Sequence, residues 1–226
     1  MTDDEFTKLS KPEQQVAIAR DVMRHLNSGH FIARHEKYMH TDGGGPDGPV
    51  IVTDTQVQTV LRARKCRLCA LGGIFAATVE RYNELTMGEM NFDLGDSAMQ
   101  LNYLRPYFDE SQLRLIETAF EGRVVRVPGS FELAERYSEL SIHDLRKMMA
   151  DDADTRAYPT SERTWLRAAL TACEQWKPKF HDAPGALMRA IMLNIIYNSG
   201  RFYPQQPPLS TDRIIAEALT LTEDTP

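Results

Sequence analysis

Apolar side chains return every three or four residues along most of this chain, and the helices they predict follow one another with few gaps. Val16, Ala19, Val22, Met23 and Leu26 form one stripe on a helix from about Pro12 to Asn27. Gly29 is placed to take the left-handed conformation that closes this helix, and Phe31 to fold back on its last turn. A second helix starts near Thr53 or Asp54, both good N-caps, and carries Val57, Val60 and Leu61. A third runs from about Cys66 to Tyr82. Its large face is Leu68, Leu71, Phe75, Val79 and Tyr82, and its small face is Cys69, Gly73, Ala76 and Ala77. Glycine costs about 1 kcal/mol inside a helix, so the pair Gly72-Gly73 implies close packing there and a central position in the core.

The second half follows the same period. Asp109 and Gln112 resemble a capping box at the head of a helix with Leu113, Leu115, Ile116, Ala119 and Phe120, stopped by Gly122. Ser130 and Ser141 are N-caps for two shorter helices, the second carrying Leu145, Met148 and Met149. Thr160 or Ser161 caps a helix with Trp165, Leu166, Ala169, Leu170, Cys173 and Trp176. Pro184 opens the last strong helix, with Leu187, Met188, Ile191, Met192, Ile195 and Ile196. Two short β-branched runs, Pro49–Val52 and Val124–Val127, read as strands that could pair into a ribbon. The fold expected is therefore mainly α: one orthogonal bundle of about seven to nine helices over residues 1–226, with a loop or linker at 151–159.

An echo links the ends of two helices. His25-Leu-Asn-Ser-Gly-His-Phe31 and Ile196-Tyr-Asn-Ser-Gly-Arg-Phe202 share Asn-Ser-Gly-x-Phe. The match covers only the helix ends, so it reads as one C-cap solution used twice and not as a duplicated unit.

Composition adds the setting. At 42% hydrophobic and 26% charged residues, the balance is that of a globular chain. No run approaches the ~18 apolar residues of a membrane span, and the acidic start lacks the features of a signal peptide. Three cysteines are too few for a disulfide scaffold, and the reading is a cytoplasmic protein with free thiols. The net charge of −6 is concentrated. Glu84, Glu89, Asp93, Asp96, Asp109 and Glu110 face only Arg105 between residues 84 and 110, which suits a basic partner and disfavours nucleic acid.

Five stretches are candidates for chemistry. His25, His30, His35 and His40 recur every five residues, and imidazole is a common ligand for zinc-class metals. Five-residue spacing winds around a helix, however, and Gly29 interrupts any helix through the set. Cys66-x-x-Cys69 lacks a second ligand pair for zinc, and a basic helical segment precedes it where a redox motif needs a strand. It reads as small core residues. Arg62, Arg64, Lys65 and Arg67, with Arg105 and Arg201 elsewhere, could hold phosphate or RNA, or simply form a solvated helix end. The run Thr41-Asp-Gly-Gly-Gly-Pro-Asp-Gly48 lacks the Gly-Lys-Ser/Thr ending of a P-loop. His143-Asp144 are neighbours whose side chains diverge on a helix.

Cys69-Ala-Leu-Gly72, Tyr107–Phe120 and Ile191–Pro204 resemble segments of small uncharacterised proteins of bacteria, their phages and plasmids. The resemblance implies a small accessory protein of a mobile element and carries over no activity. The leading expectation is then a non-enzymatic regulatory protein without a cofactor that binds another protein through Glu84, Glu89, Asp93 and Asp96. One alternative is a metal-dependent enzyme using His30, His35 and His40 with a carboxylate such as Glu36. The other is RNA or phosphate binding through Arg62, Arg64, Lys65 and Arg67.

Overall fold

The computed structural model describes residues 3–36, 39–41, 58, 61–62, 65–82, 97–151, 156 and 158–223. The fold is mainly α. In chain order the described helices are α1 (Asp3–Thr7), α2 (Lys11–Asn27), α3 (Ala70–Tyr82), α4 (Ser97–Leu104) and α5 (Glu110–Glu121). They continue with α6 (Leu133–Arg136), α7 (Ile142–Ala150), α8 (Thr160–Thr171), α9 (Pro184–Tyr197) and α10 (Thr211–Glu223). α8 runs on into a π-helical turn, Ala172–Trp176, and a 3₁₀ turn, Pro178–Phe180, precedes α9. No helix among the described residues is long and apolar enough to cross a membrane.

α3 lies at the centre, as its apolar run implies. Every residue from Ala70 to Val79 is buried. A Cβ on Gly73 would stand 3.4–3.5 Å from Leu68, Met188 and Val22, so this glycine lets α3 approach both α2 and α9. α2 and α9 pack antiparallel. Arg189 of α9 donates to the Leu26 carbonyl and to Asn27 Oδ1 at the end of α2. Gly200, just past the end of α9, abuts Pro12 and Gln15 at the start of α2. Trp176 closes the core from the π-helical turn, donating its Nε1 hydrogen to the Pro204 carbonyl at 2.9 Å.

The sheet differs from expectation. Three strands, β1 (Phe31–Ala33), β2 (Met39–Thr41) and β3 (Cys66–Leu68), lie in the order β1-β3-β2. β3 runs parallel to β1 and antiparallel to β2. Cys66-Arg67-Leu68 alternates buried, exposed, buried, a two-residue period too short to stand out beside the helical pattern that follows it. The third helix consequently starts at Ala70 and not at Cys66. Val124–Val127 makes no strand; Val124 forms a single antiparallel bridge with Leu140. Pro49–Val52 and most of the helix expected after Thr53 lie outside the described residues.

The capping box expected at Asp109 and Gln112 is replaced by distant contacts of both side chains. Asp109 sits at the N-cap of α5 without a side-chain cap bond, and its carboxylate pairs with Lys11 at 2.8 Å. Gln112 is buried, and its Oε1 accepts the Phe202 N–H at 2.9 Å. The twin Asn-Ser-Gly-x-Phe ends both reverse the chain through a six-residue Schellman bond, His30 N–H to His25 C=O and Gly200 N–H to Ile195 C=O. They are one residue out of register: Gly29 (φ 71°) takes the left-handed position in the first, and Ser199 (φ 52°) in the second.

Candidate metal centre at the α2–α3 junction

The Schellman reversal at Gly29 builds the site. His25 is the C3 residue of α2 and His30 the C″ residue, the pair that this motif brings into contact. Their N–H···O=C bond is 3.0 Å long, and their rings lie 5.3 Å apart, centroid to centroid. Phe31 stacks on His25 at 4.5 Å and anchors the turn in the core. The residue that interrupts the helix is therefore the one that unites the two imidazoles. Glu80, near the end of α3, completes the group. One donor atom from each of His25, His30 and Glu80 lies within 4.8 Å of the others.

The three groups are largely withdrawn from solvent. His25 Nε2 and Glu80 Oε2 stand 3.1 Å apart, each side chain 13% exposed, although their alignment does not make a hydrogen bond. His30 Nε2 is also buried without a hydrogen-bond acceptor or donor. Burial pushes the Glu80 carboxyl above its ordinary range, as does Asp21, while His30, Arg62 and Arg24 oppose the shift. Asp21 lies one turn before His25 on α2 and pairs with Arg24 at 3.2 Å. The Glu80 carbonyl accepts from Arg62 Nη2 at 2.8 Å and from the Gln58 side-chain amide. Two imidazoles and a carboxylate are a donor set for zinc-class and other first-row divalent cations.

The remaining candidates are dispersed. His35 sits past the far end of β1, its ring 4.7 Å from Phe120. His40 lies in β2 opposite Arg67, and its side chain is outside the described residues. Glu36 adopts φ 59°, and its N–H faces both carboxylate oxygens of Glu121 at 3.2 and 3.3 Å. Arg62 turns to α3, Lys65 is exposed ahead of β3, and Arg67 is exposed within it. They do not form a common helix end; Arg64 is outside the described residues. So are Glu84, Glu89, Asp93 and Asp96, and the glycine-rich run from Asp42.

Cys66 and Cys69 do occupy a strand-to-helix junction, contrary to the sequence reading of a preceding helix. Both are buried with Cys173, and all three are free thiols. Burial pushes the Cys69 thiol far above its ordinary value, which removes the thiolate that redox chemistry needs.

A second cluster joins Glu121, Glu36, His35 and Lys177. Burial raises the Glu121 carboxyl from 4.5 to about 7, against the opposing Glu36 amide, Lys177 and Arg123; Glu117 adds to the rise. Burial, then Lys177, holds the His35 imidazole below its usual range. Folded Glu121 thus keeps a proton that the unfolded chain loses near pH 4.5. Its ionisation removes stability as pH rises from about 4.5 to 7, by roughly 1–3 kcal/mol. Urea unfolding of Glu121→Gln against the parent is expected to show this: the variant gains stability relative to the parent across that window. A pH-independent difference would contradict the assignment.

Glu80 carried no signal in the sequence, being 50 residues from His30. The His25–His30 contact was encoded in the spacing of the two residues around Gly29. The chain matches no known family model, no curated protein and no solved structure, so the site stands on its own geometry.

Proposed function

We propose that this chain binds a divalent cation of the zinc class through His25, His30 and Glu80. The observation that carries this reading is the convergence of three donor atoms within 4.8 Å in a largely buried setting. Ligands bound at about 2.0–2.1 Å to a tetrahedral ion stand roughly 3.3 Å apart. The His25–Glu80 separation of 3.1 Å already suits that geometry, and the His30 donor lies within 4.8 Å of both. A cation would also engage the buried His30 Nε2, which has no hydrogen-bond partner, together with the Glu80 Oε2 that faces His25.

Three protein ligands leave a coordination position for water or an incoming anion, as in catalytic zinc sites and unlike closed four-ligand structural ones. The reading favours metal-assisted chemistry of a small substrate over a purely structural ion. It replaces the ligand set His30, His35 and His40 by one that shares only His30.

Calorimetric titration of chelator-treated protein, purified without a histidine tag, tests the proposal. One Zn²⁺ per chain is expected. His30→Ala should weaken binding by at least about 100-fold, the upper end of what loss of an outer-shell partner costs. His143→Ala, on exposed α7, should leave it unchanged. Absence of stoichiometric binding, or equal binding by His30→Ala, would contradict it.

A further inference from the structure

A cleft lies away from the histidines, between α4, α5 and the segment from Arg126 to Ser138. It opens to solvent with a volume of about 430 Å³, within the roughly 300–1,000 Å³ usual for small-ligand sites. Three guanidinium groups line it, from Arg105, Arg114 and Arg126, against one carboxylate, Glu110. Glu110 is already engaged: its Oε1 accepts the Gly129 N–H at 3.0 Å and its Oε2 the Arg105 Nη2 hydrogen at 3.3 Å.

Arg114 forms the floor. Its side chain is 2% exposed, and its Nη1 donates to the equally buried Glu117 at 2.9 Å. Its Nε is buried without a hydrogen-bond acceptor, since Glu110 Oε1 stands 4.0 Å away. A buried guanidinium with a spare donor is costly unless something accepts from it. The cleft is held in shape by backbone bonds, Val127 N–H to Ser138 C=O and the Val124–Leu140 pair, each 3.2 Å. Leu101, Val127 and Tyr137 supply apolar lining. Guanidinium groups and apolar side chains lining one cleft match a ligand with an anionic head and a hydrocarbon body.

We propose that this cleft binds a small organic oxyanion, a carboxylate or a phosphate monoester, whose head meets Arg105, Arg114 and Arg126. The body lies against Leu101, Val127 and Tyr137. No residue is shared with the His25–His30–Glu80 group, so the two proposals fail independently.

Calorimetric titration of the full chain in phosphate-free buffer, with benzoate, phenyl phosphate and neutral benzamide as probes, decides the matter. At least one of the two anions is expected to bind one per chain, at least about tenfold more tightly than benzamide. Arg105→Gln and Arg126→Gln replace exposed side chains, so the fold is retained; each should weaken binding by at least about tenfold. Arg123→Gln, whose parent side chain pairs with Glu139 outside the cleft, should not. Tighter benzoate binding identifies a carboxylate ligand, and tighter phenyl phosphate binding a phosphate monoester. The proposal is overturned if neither anion outbinds benzamide, or if binding survives both Arg105→Gln and Arg126→Gln.

Discussion

Glu117→Ala is expected to destabilise the fold by about 3–5 kcal/mol, the usual cost of breaking a buried ion pair from one side. Arg114 and Glu117 are each 2% exposed and meet at 2.9 Å on successive turns of α5. Removing the carboxylate leaves a guanidinium charge in the protein interior, with Glu110 Oε1 4.0 Å from its Nε. The charge must then draw water into the packing or force the helix to shift. Removing both charges is a different experiment. An Arg114→Met, Glu117→Leu double variant replaces the pair by packed apolar groups, and such exchanges are often neutral or stabilising. Urea unfolding checks both, as a fall in midpoint at constant slope for the single variant and little change for the double. A loss below about 1 kcal/mol for Glu117→Ala would show that the pair is not desolvated as described.

The second large effect is expected at Gly200, where an alanine should cost about 2–5 kcal/mol. Two costs combine. The backbone has φ +94°, which side-chain-bearing residues rarely adopt. An added Cβ would also stand 2.7 Å from the Pro12 carbonyl oxygen and 2.5 Å from Gln15 Oε1. A side-chain oxygen can swing away, but the carbonyl belongs to the first turn of α2 and moves only with that helix. Gly29 supplies the comparison. Its φ is +71°, and nothing lies within 4 Å of an added Cβ. Gly29→Ala meets only the conformational cost, about 1–2 kcal/mol. Thermal unfolding of the two variants should therefore rank Gly200→Ala well below Gly29→Ala. The reverse order would place the end of α9 elsewhere than on α2.

How far the sequence revealed this arrangement depended on whether a signal was local. α2, α5, α7 and α9 were legible because each carries an apolar stripe and a local stop or start, such as Gly29, Gly122, Ser141 or Pro184. Ser141 caps α7 through a full capping box with Asp144, a signal contained in four residues. β3 was hidden because three residues cannot display a period against the long apolar run of α3. α10 was missed because its buried positions, Ile214 and Ala218, are accompanied by Ile215 and Leu219, which are 54% and 62% exposed and blur its stripe.

The site divides along the same line. Five-residue spacing of histidines argues against a shared face only while the helix continues. At a Schellman reversal the C3 and C″ residues meet, and the sequence His25-x-x-x-Gly-His30 meets that condition. Glu80 could not be found this way, because its approach depends on α3 crossing the end of α2. Arg114 illustrates the same limit. Its spacing from Glu110 and Glu117 fits ordinary surface pairs on a helix, whereas burial by the surrounding elements turns it into the floor of a cleft.

The claim that His25, His30 and Glu80 form one metal centre is tested most directly by titrating the chelator-treated chain with Co²⁺ and recording its visible absorption. Co²⁺ takes zinc sites and reports coordination through the intensity of its d–d bands. The account predicts intense low-symmetry bands that saturate at one equivalent and disappear in His25→Ala, His30→Ala and Glu80→Gln. The weak spectrum of hydrated Co²⁺ throughout the titration, or intense bands that persist in all three variants, would contradict it.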